Sequence, residues 1–363
     1  MNESVLGLGI VGLGFMGRRY AQFLRGIEGV RLAGVYDLDG DLARDVVAEC
    51  GGTVYSDIDS LAAAADVAGV IVCTPEDRHL EPALAALERG KPLMVEKPIA
   101  HTIEAAETIA AAATQAGVPV LTGHLLRFEP RWAGAWQRIA AGEIGEVLSV
   151  ATRRIGNIGD QAILRGRTTI PLYYGVHDLD VMRWFAGAEA STIFARRRSG
   201  AVRAAGYDVD DLYCAVVTFD NGVLGSAELG WHVPATAAAA RTAGVFVIGT
   251  NGVIHIDQLR TGLESWSDGQ LDPGLDGVFW SESYGIPGGA LGLEIRHFAD
   301  CVRGRQEPAI RLTEAIEALR LSLAMEHSAD TGTIVDLTTF GRTQDNLVVM
   351  SRGDHVTSGS ATS

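Results

Sequence analysis

Cysteine is scarce in this chain. Four residues, Cys50, Cys73, Cys214 and Cys301, are spread over 363 positions and form no Cys-x-x-Cys pair. This scarcity excludes a small disulfide-stapled scaffold and a four-cysteine zinc site. No His-x-x-x-His pair occurs either, so we expect no metal site. Reduced cysteines in a cytoplasmic protein are the simplest interpretation.

Positive charge and long apolar runs are also lacking. The 30 Lys and Arg residues face 45 Asp and Glu residues, which gives a net charge of −15. We therefore expect neither nucleic acid nor an anionic membrane as a partner. The basic run at 196–198 is interpreted as a solvated strand end. The apolar run at 5–11 has only the length of a strand and follows no basic segment, so it predicts neither a signal peptide nor a membrane span.

The first 120 residues alternate between apolar strand-like segments and segments with helical spacing. The length of the chain and its 47% of hydrophobic residues allow two domains with cores of their own. Strands are predicted at 5–11, 30–36, 70–73, 93–95 and 118–121, and helices at 15–27, 42–50, 76–89 and 102–116. Repeated βα units predict an α/β domain with a parallel, doubly wound sheet.

The pattern changes after His124. A helix is predicted at 130–141, and strands at 147–154, 191–195, 212–219, 223–229, 245–248 and 253–257. Asn-Gly pairs at 221–222 and 251–252 predict hairpin turns. Two late helices, at 291–302 and 313–329, follow. These features predict a domain at 1–124, an α+β domain with a mostly antiparallel sheet at 125–340, and a flexible tail at 341–363. A late helix is free to pack back on the first domain.

A glycine pattern closes the first predicted strand and opens the first predicted helix: Gly12-Leu13-Gly14-Phe15-Met16-Gly17. Gly12 permits a tight turn, Gly14 lets the backbone approach a pyrophosphate, and Gly17 lets the helix pack closely on the strand. The pyrophosphate is expected on the helix N-terminus, beside Phe15 and Met16. A tight turn without a ligand is the alternative, and the strand–helix context favours a Rossmann-type dinucleotide site.

Asp37 ends the second predicted strand. A carboxylate at this position accepts hydrogen bonds from the adenosine ribose hydroxyls and repels a 2′-phosphate. Leu38 follows it, in place of Arg or Lys. The pattern therefore predicts NAD, with NADP less favoured. The alternative is that Asp37 only caps the next helix, but Asp39 is better placed to do so.

Two further segments follow strands whose carboxyl ends face the ligand crevice of an open α/β sheet. Thr74 and Pro75 come after the strand at 70–73 and are expected beside the nicotinamide ribose. His79, one turn further, either lines the cofactor or makes a polar helix contact. Lys97 follows the strand at 93–95, within Glu96-Lys97-Pro98, and can touch both cofactor and substrate from there.

Taken together, these motifs resemble the glucose–fructose oxidoreductase/inositol dehydrogenase/MocA (Gfo/Idh/MocA) family. The resemblance covers nearly the whole chain. It rests on the order and spacing of the glycine pattern, Thr74-Pro75 with His79, Glu96-Lys97-Pro98, Arg127-Phe128-Glu129-Pro130, Gly142-Glu143-Ile144-Gly145 and His177-Asp178-Leu179-Asp180. It implies a Rossmann domain and a second domain with an open sheet, through which members form dimers or tetramers. It also implies NAD- or NADP-dependent oxidation or reduction of a ring hydroxyl of a sugar, inositol or related polyol.

The resemblance also implies roles for individual residues. Lys97 is expected to hold the reacting oxygen, where an ammonium stabilises a developing alkoxide. Glu96 is expected to touch the nicotinamide side, and Pro98 to fix the turn, often through a cis bond. His177 is the candidate general acid/base, because imidazole titrates near neutral pH. It opens an amphipathic run at 177–185 that predicts a helix near the cleft, and a helix-capping role is the alternative.

The chain departs from the commonest family pattern at one position. Many members carry Asp four residues before the histidine, whereas this chain has Tyr173. Tyr173 is instead expected to bind a substrate hydroxyl or to relay a proton. The other candidate substrate contacts are Arg127, Arg154, Asn157 and Tyr174. Each of them also has a structural alternative; Arg127, for example, can simply bridge the domains.

The sequence thus predicts an NAD-dependent dehydrogenase that acts on a secondary hydroxyl of a cyclic polyol or sugar derivative, assembled as a homodimer or homotetramer. Hydride passes between the substrate carbon and nicotinamide C4, while His177, supported by Lys97, moves the proton. Two alternatives stay open. One is an enzyme with tightly bound NAD that carries out redox-assisted elimination, glycoside cleavage or sugar transfer. The other is a non-catalytic NAD-binding regulator of the same fold.

Overall fold

Two sheets organise the chain in its computed structural model, which describes residues 5–164, 166–233, 241–257, 265–267, 270–272 and 279–342. The tail predicted at 341–363 lies outside the described residues from position 343 onwards. The domain boundaries at residues 124 and 340 stay a prediction.

The first sheet is parallel throughout. Its six strands are β1 (Leu6–Val11), β2 (Val30–Tyr36), β3 (Thr53–Val54), β4 (Gly69–Val72), β5 (Leu93–Glu96) and β6 (Val120–Gly123). They pair in the order β3-β2-β1-β4-β5-β6. The helices between them are α1 (Phe15–Leu24), α2 (Gly40–Cys50), α3 (Ile58–Ala63), α4 (Leu80–Glu88) and α5 (Ile103–Ala116). The strand order reverses between β1 and β4, which opens a ligand crevice at their carboxyl ends.

Local chemistry explains most of these elements. Strand β4 and the first three residues of β5 are continuous apolar runs because helices cover both faces of a parallel sheet, and both strands are buried. Helix α5 begins after Thr102, whose hydroxyl accepts the N–H of Ala105, and ends at Gly117 in the left-handed conformation. The predicted parallel, doubly wound sheet is therefore confirmed.

The sequence prediction missed β3 and α3, which have two and six residues and are too short to show a period. The helix predicted at 76–89 is also interrupted. A 3-10 turn, Glu76–Arg78, follows Pro75, and α4 begins only at Leu80. The hydroxyl of Thr74 donates to the carbonyl of Arg78 and closes that turn.

The second sheet is mixed and mostly antiparallel, as predicted. Its seven strands are β7 (Val147–Asn157), β8 (Ala190–Arg198), β9 (Leu212–Phe219), β10 (Leu224–Val233), β11 (Arg241–Gly249), β12 (Val253–Asp257) and β17 (Val335–Asp336). They pair in the order β12-β11-β7-β10-β9-β8-β17, and only β7 and β10 run parallel. Between β12 and β17 lie two small hairpins, β13 (Ser265–Ser267) with β14 (Gln270–Asp272), and β15 (Glu282–Ser283) with β16 (Ile286–Pro287).

Six helices complete the described structure: α6 (Pro130–Ala140), α7 (Gln161–Leu164), α8 (Val176–Ala186), α9 (Ala201–Ala204), α10 (Gly289–Val302) and α11 (Leu312–Thr331). Helices α8 and α11 pack together and cover one face of the second sheet. Helix α10 contacts α1, and α11 contacts α5, so the late helices return to the first sheet. The carboxyl end of β5 thereby comes to lie against the start of α8.

Candidate active site

The glycine loop has the shape that a pyrophosphate requires. Gly12 has φ +86°, a left-handed conformation that favours glycine, and a Cβ on Gly17 would lie 1.9 Å from the carbonyl oxygen of Gly12. Gly14 is the N-cap of α1, and no side chain caps the helix in the described part of the chain. Nothing lies within 4 Å of the position that a Cβ on Gly14 would take. An anion fits this open helix N-terminus, beside Phe15 and Met16.

Asp37 is fixed against the same loop. One carboxylate oxygen accepts the backbone N–H of Leu13 at 2.6 Å, and the other accepts that of Asp39 at 2.8 Å. Asp39 caps α2, since its side chain accepts the N–H groups of Asp41 and Leu42. Asp37 is therefore not the cap, and its carboxylate stands where an adenosine ribose is expected beside an NAD pyrophosphate.

His79 connects the two loops that follow β4 and β5. Its ring is buried, with Nε2 2.9 Å from the carbonyl oxygen of Thr74 and Nδ1 3.0 Å from that of Pro98. Burial lowers the pKa of His79, although these backbone contacts oppose the shift. The contacts favour the second of the two roles considered for His79, a polar structural one. Through them, His79 holds the Thr74-Pro75 loop against the Lys97 loop.

Lys97 extends from the end of β5 to the segment that precedes α8. Its Nζ donates a 2.8 Å hydrogen bond to the carbonyl oxygen of Tyr173 and lies 4.6 Å from the centre of the Tyr173 ring. The Lys97–Pro98 peptide bond is cis. Glu96 is buried behind Lys97, and its carboxyl accepts the backbone N–H of Lys97 at 3.2 Å. The ammonium is thus held at the mouth of the crevice.

His177 lies in the first turn of α8, which follows a π-helical turn, Pro171–Gly175. Such turns are frequent at functional sites. The helix N-cap is Gly175, so the proposed capping role of His177 is not what the structure shows. Tyr173 precedes His177 by four residues, and residues at this spacing share a helix face. His177 is half-buried and lies about one helical turn after the residue whose carbonyl accepts the Lys97 ammonium.

A cluster of aromatic rings lies next to Lys97. The rings of Tyr173 and Tyr174 each pack against Trp231 in a tilted arrangement, with centroids 5.6 and 4.6 Å apart. The buried hydroxyl of Tyr174 donates to Asp160 at 2.5 Å. The side chain of Asn157 accepts the backbone N–H of Gly159 at 2.7 Å. Sequence reasoning missed Trp231, because the alternation of β10 does not distinguish a site-facing ring from a core ring.

Arg127 forms a buried ion pair with α8. It donates to both carboxylate oxygens of Asp180, at 2.7 and 3.0 Å, and to Glu314 at 2.9 Å. Burial raises the pKa of Asp180, but the charge of Arg127 outweighs this and lowers it to about 2. Nδ1 of the buried His124 lies 3.6 Å from Asp180. These contacts favour the structural role of Arg127, as a link between the segment after β6 and the late helices.

Arg154 is paired in the same way. It is only 2% exposed, and its Nε lies 2.5 Å from the carboxylate of Asp178, which is fully buried. Its neighbour Arg153 faces the opposite side of β7 and pairs with Glu228. The burial of Arg154 favours a structural role, holding α8 on the sheet one residue away from His177. Sequence reasoning missed Asp178 as the partner, since no local signal connects a strand residue to a helix residue 24 positions later.

The sequence matches two models of one protein family. Residues 6–124 match the Gfo/Idh/MocA "Oxidoreductase family, NAD-binding Rossmann fold", and residues 137–337 match the "Oxidoreductase family, C-terminal alpha/beta domain". The chain belongs to the Gfo/Idh/MocA family. It is therefore a member of an oxidoreductase family whose first domain has an NAD-binding Rossmann fold.

Curated relatives and solved structures agree with this family. The chain is 34% identical over 234 residues to inositol 2-dehydrogenase 2 of Saccharopolyspora erythraea, covering 62% of this chain and 66% of the relative. It is 29% identical over 339 residues to scyllo-inositol 2-dehydrogenase (NAD(+)) of Bacillus subtilis, covering 90% and 95%. The crystal structure of scyllo-inositol dehydrogenase from Lactobacillus casei with NAD(H) and scyllo-inositol superposes with a TM-score of 0.79 at 22% identity, covering 93% and 100%.

Two further findings describe this Gfo/Idh/MocA protein. No helix among the described residues is long and apolar enough to cross a membrane. In the same residues, no group of three or more His, Cys, Asp or Glu side chains has an arrangement that could hold a metal ion.

Proposed function

We propose that the chain is an NAD-dependent dehydrogenase of a cyclic polyol, such as an inositol, or of a sugar derivative. One observation carries the proposal: the hydrogen bond from Lys97 to the Tyr173 carbonyl holds an ammonium about one helical turn before His177, at the end of a strand of the sheet that also carries the glycine loop and Asp37. The names of two curated relatives, both inositol dehydrogenases, support the same substrate class.

In this proposal Lys97 and His177 have different roles at the substrate hydroxyl. NAD⁺, when bound, supplies the hydride acceptor. The ammonium of Lys97 donates to the reacting oxygen and stabilises its developing negative charge in a partly buried site. His177 removes the hydroxyl proton in oxidation and returns it in reduction. The Tyr173 carbonyl accepts a hydrogen bond from one of the three N–H groups of the Lys97 ammonium, and this contact orients the ammonium.

We assign the substrate contacts to Tyr173 and Asn157, which are half-buried beside Lys97 and at the end of β7. A tyrosine ring suits the C–H face of a ring polyol, and an amide suits its hydroxyls. Arg127, Arg154 and Tyr174 are buried and bound to carboxylates. We assign these three residues to shaping the pocket.

We also propose that the protein is a cytoplasmic homo-oligomer that assembles through the second sheet. One face of this sheet carries α8 and α11, whereas alternating residues on the other face are exposed and apolar: Val216, Leu224, Phe246, Ile248 and Val253. An apolar surface of this kind marks an interface. Light scattering on the purified protein tests this assembly: a mass above 38.4 kDa supports it, and a monomer contradicts it.

The dehydrogenase proposal is tested by turnover. Purified protein is mixed with NAD⁺ and a panel of inositol stereoisomers, pyranoses and open-chain polyols, and NADH formation is followed by absorbance. Turnover of a cyclic polyol in preference to the open-chain ones supports the proposal. NAD⁺ that co-purifies and never exchanges would favour redox-assisted elimination or transfer. NAD binding without reduction by any member of the panel would contradict the proposed function.

A further inference from the structure

Three buried side chains, Glu96, Tyr20 and Glu294, are joined by hydrogen bonds behind Lys97, and neither the cofactor site nor the proposed proton transfer accounts for this arrangement. The hydroxyl of Tyr20, on α1, lies 2.9 Å from Oε1 of Glu96 and 2.7 Å from Oε2 of Glu294, on α10. Tyr20 and Glu294 are fully buried, and Glu96 is 8% exposed. Two acidic side chains therefore meet at one hydroxyl inside the protein.

Counting hydrogens shows that one of these carboxyl groups carries a proton. A tyrosine hydroxyl has a single hydrogen, so it can donate to only one of its two neighbours. The second short contact is a hydrogen bond only if the other carboxyl is protonated and donates to the Tyr20 oxygen. With both groups ionised, two negative charges would share a buried site, which strongly favours protonation of one.

The surroundings decide where this proton lies. Oε2 of Glu96 accepts the backbone N–H of Lys97, and the ammonium of the same residue is near. Oε1 of Glu294 is buried and has no hydrogen-bond partner within the described residues. A carboxylate with so little support in a buried site is costly, whereas a carboxylic acid is not. The proton therefore belongs to Glu294, and Glu96 stays ionised.

We propose that Glu294 is a neutral carboxylic acid that acts through Tyr20 to position Glu96 behind Lys97. The hydroxyl of Glu294 donates to the oxygen of Tyr20, and the hydroxyl of Tyr20 donates to Glu96. Glu294 is thus a positioning residue, whose effect on the reaction passes through Glu96 to Lys97. This inference rests on the proposed function for the role of Lys97, but not for the location of the proton.

The electrostatics of the three groups agree. Burial, and then the charge of Glu96, raise the pKa of Glu294 well above its usual range. Burial also raises the pKa of Glu96, but Lys97 and the hydrogen bonds from Tyr20 and Lys97 oppose that shift. Among the described residues, Cys73 also lies near these three side chains. Burial raises the pKa of its thiol, so the thiol is neutral.

These hydrogen bonds join three elements of the protein whose relative positions a dehydrogenase must maintain. Helix α1 begins at the glycine loop, β5 ends at Glu96 and Lys97, and α10 comes from the second half of the protein. Directional hydrogen bonds between them fix how far Lys97 stands from the helix that receives the pyrophosphate. Loss of these hydrogen bonds should therefore lower kcat and the affinity for NAD, and should leave the KM for the polyol unchanged.

Three variants test the proposal. E294Q keeps the shape and supplies an amide N–H as donor, so we expect kcat and the NADH dissociation constant within about two-fold of wild type. E294L keeps the size and removes the donor, and should lower kcat and NADH affinity by about ten-fold each. The infrared spectrum of wild type minus E294Q at neutral pH should contain the C=O stretch of a protonated acid. E317Q is the control, because Glu317 is buried but paired with Arg320 and Arg342, and should give no such band.

The proposal is overturned if E294Q is as impaired as E294L, which would require an ionised Glu294, or if the difference spectrum lacks the acid band. Should E294L fail to fold, the comparison of E294Q with wild type and the infrared band still decide. Failure of the proposed function gives a different result. Wild type would then turn over no polyol, while the acid band and the NADH affinities of the three variants would still be measurable.

Discussion

The ammonium of Lys97 donates a hydrogen bond to the backbone carbonyl of Tyr173, 76 residues later in the chain. Lys97 comes from the parallel sheet that carries the glycine loop, and Tyr173 comes from the π-helical turn that leads into α8. Because the acceptor is a backbone group, the contact does not depend on the side chain at position 173. It holds the ammonium at the turn that leads into α8, whose first turn contains His177.

Replacing Lys97 with Met should abolish most turnover and leave the cofactor bound. In the proposed mechanism the ammonium stabilises the reacting oxygen, and groups of this kind contribute about 10²- to 10⁴-fold to the rate. We expect kcat to fall by about 10³-fold, with an NADH dissociation constant near that of wild type, measured by fluorescence. Lys91 is the only other lysine in the chain and binds the carbonyls of Ala64 and Val67. K91M is therefore the matched control, and near-normal turnover by K97M would overturn the assignment.

Removing the imidazole of His177 should stop proton transfer specifically. In H177A we expect kcat to fall by about 10²- to 10⁴-fold while NADH affinity stays within a few-fold of wild type. The control is H327A, which removes an exposed imidazole on α11 that packs against Phe340. Full activity in H177A, measured by steady-state NADH formation, would show that another group moves the proton.

Asp37 should determine the preference for NAD over NADP. The carboxylate is held at the loop by Leu13 and Asp39, and it would repel a 2′-phosphate. In D37S we expect the ratio of NADP to NAD dissociation constants to fall by about ten-fold or more, since one charged hydrogen bond is worth about 1.5–3 kcal/mol. D41S changes an exposed carboxylate on the neighbouring helix and should leave the ratio unchanged. Tighter binding of NADP than of NAD by wild type would contradict the role of Asp37.

Breaking the Arg154–Asp178 pair should cost much more stability than breaking its exposed neighbour. R154M leaves a buried carboxylate without its partner, which typically destabilises by about 3–5 kcal/mol. R153M removes the exposed pair with Glu228 and should cost less than about 1 kcal/mol. Urea unfolding gives both free energies. Similar free energies of unfolding for the two variants, together with a raised polyol KM for R154M, would show instead that Arg154 contacts the substrate.

Glu326 should make the protein less stable as pH rises towards neutrality. Burial raises its pKa to about 7, and Asp330 and Asp210 add to the shift. An unfolded glutamate has a pKa of about 4.3, so between these two values the folded state binds more protons and the free energy of unfolding falls as pH rises. E326Q should remove this slope and stabilise the protein above pH 7, by on the order of 2 kcal/mol. Parallel plots of Tm against pH for wild type and E326Q would contradict the prediction.

Short segments of sequence were enough for the cofactor site. Gly12, Gly14 and Gly17 serve a turn, a close approach and a packing contact that all lie within six residues. Asp37 and Lys97 follow apolar strands, and parallel strands bring their carboxyl ends to one edge of the sheet. The crevice and its cofactor could therefore be predicted from patterns that each βα unit carries by itself.

Strand boundaries in the second sheet were harder to predict. The strand predicted at 245–248 begins at Arg241 in the structure, because pairing with β7 extends the backbone over Arg-Thr-Ala-Gly, which has little strand character of its own. The same holds for β7, which runs on to Asn157. In both strands, hydrogen bonds to a neighbour override the local preference.

The parallel sheet, the NAD cofactor and the candidates Lys97 and His177 could be predicted from local sequence, because helical and strand periods and turn glycines are local properties. Which buried charges meet became visible only in the folded protein. Arg154 finds Asp178 on another element, and Tyr20 finds Glu294 at a separation of 274 residues. The energy of a buried charge depends on neighbours that arrive through packing, and no local pattern records them.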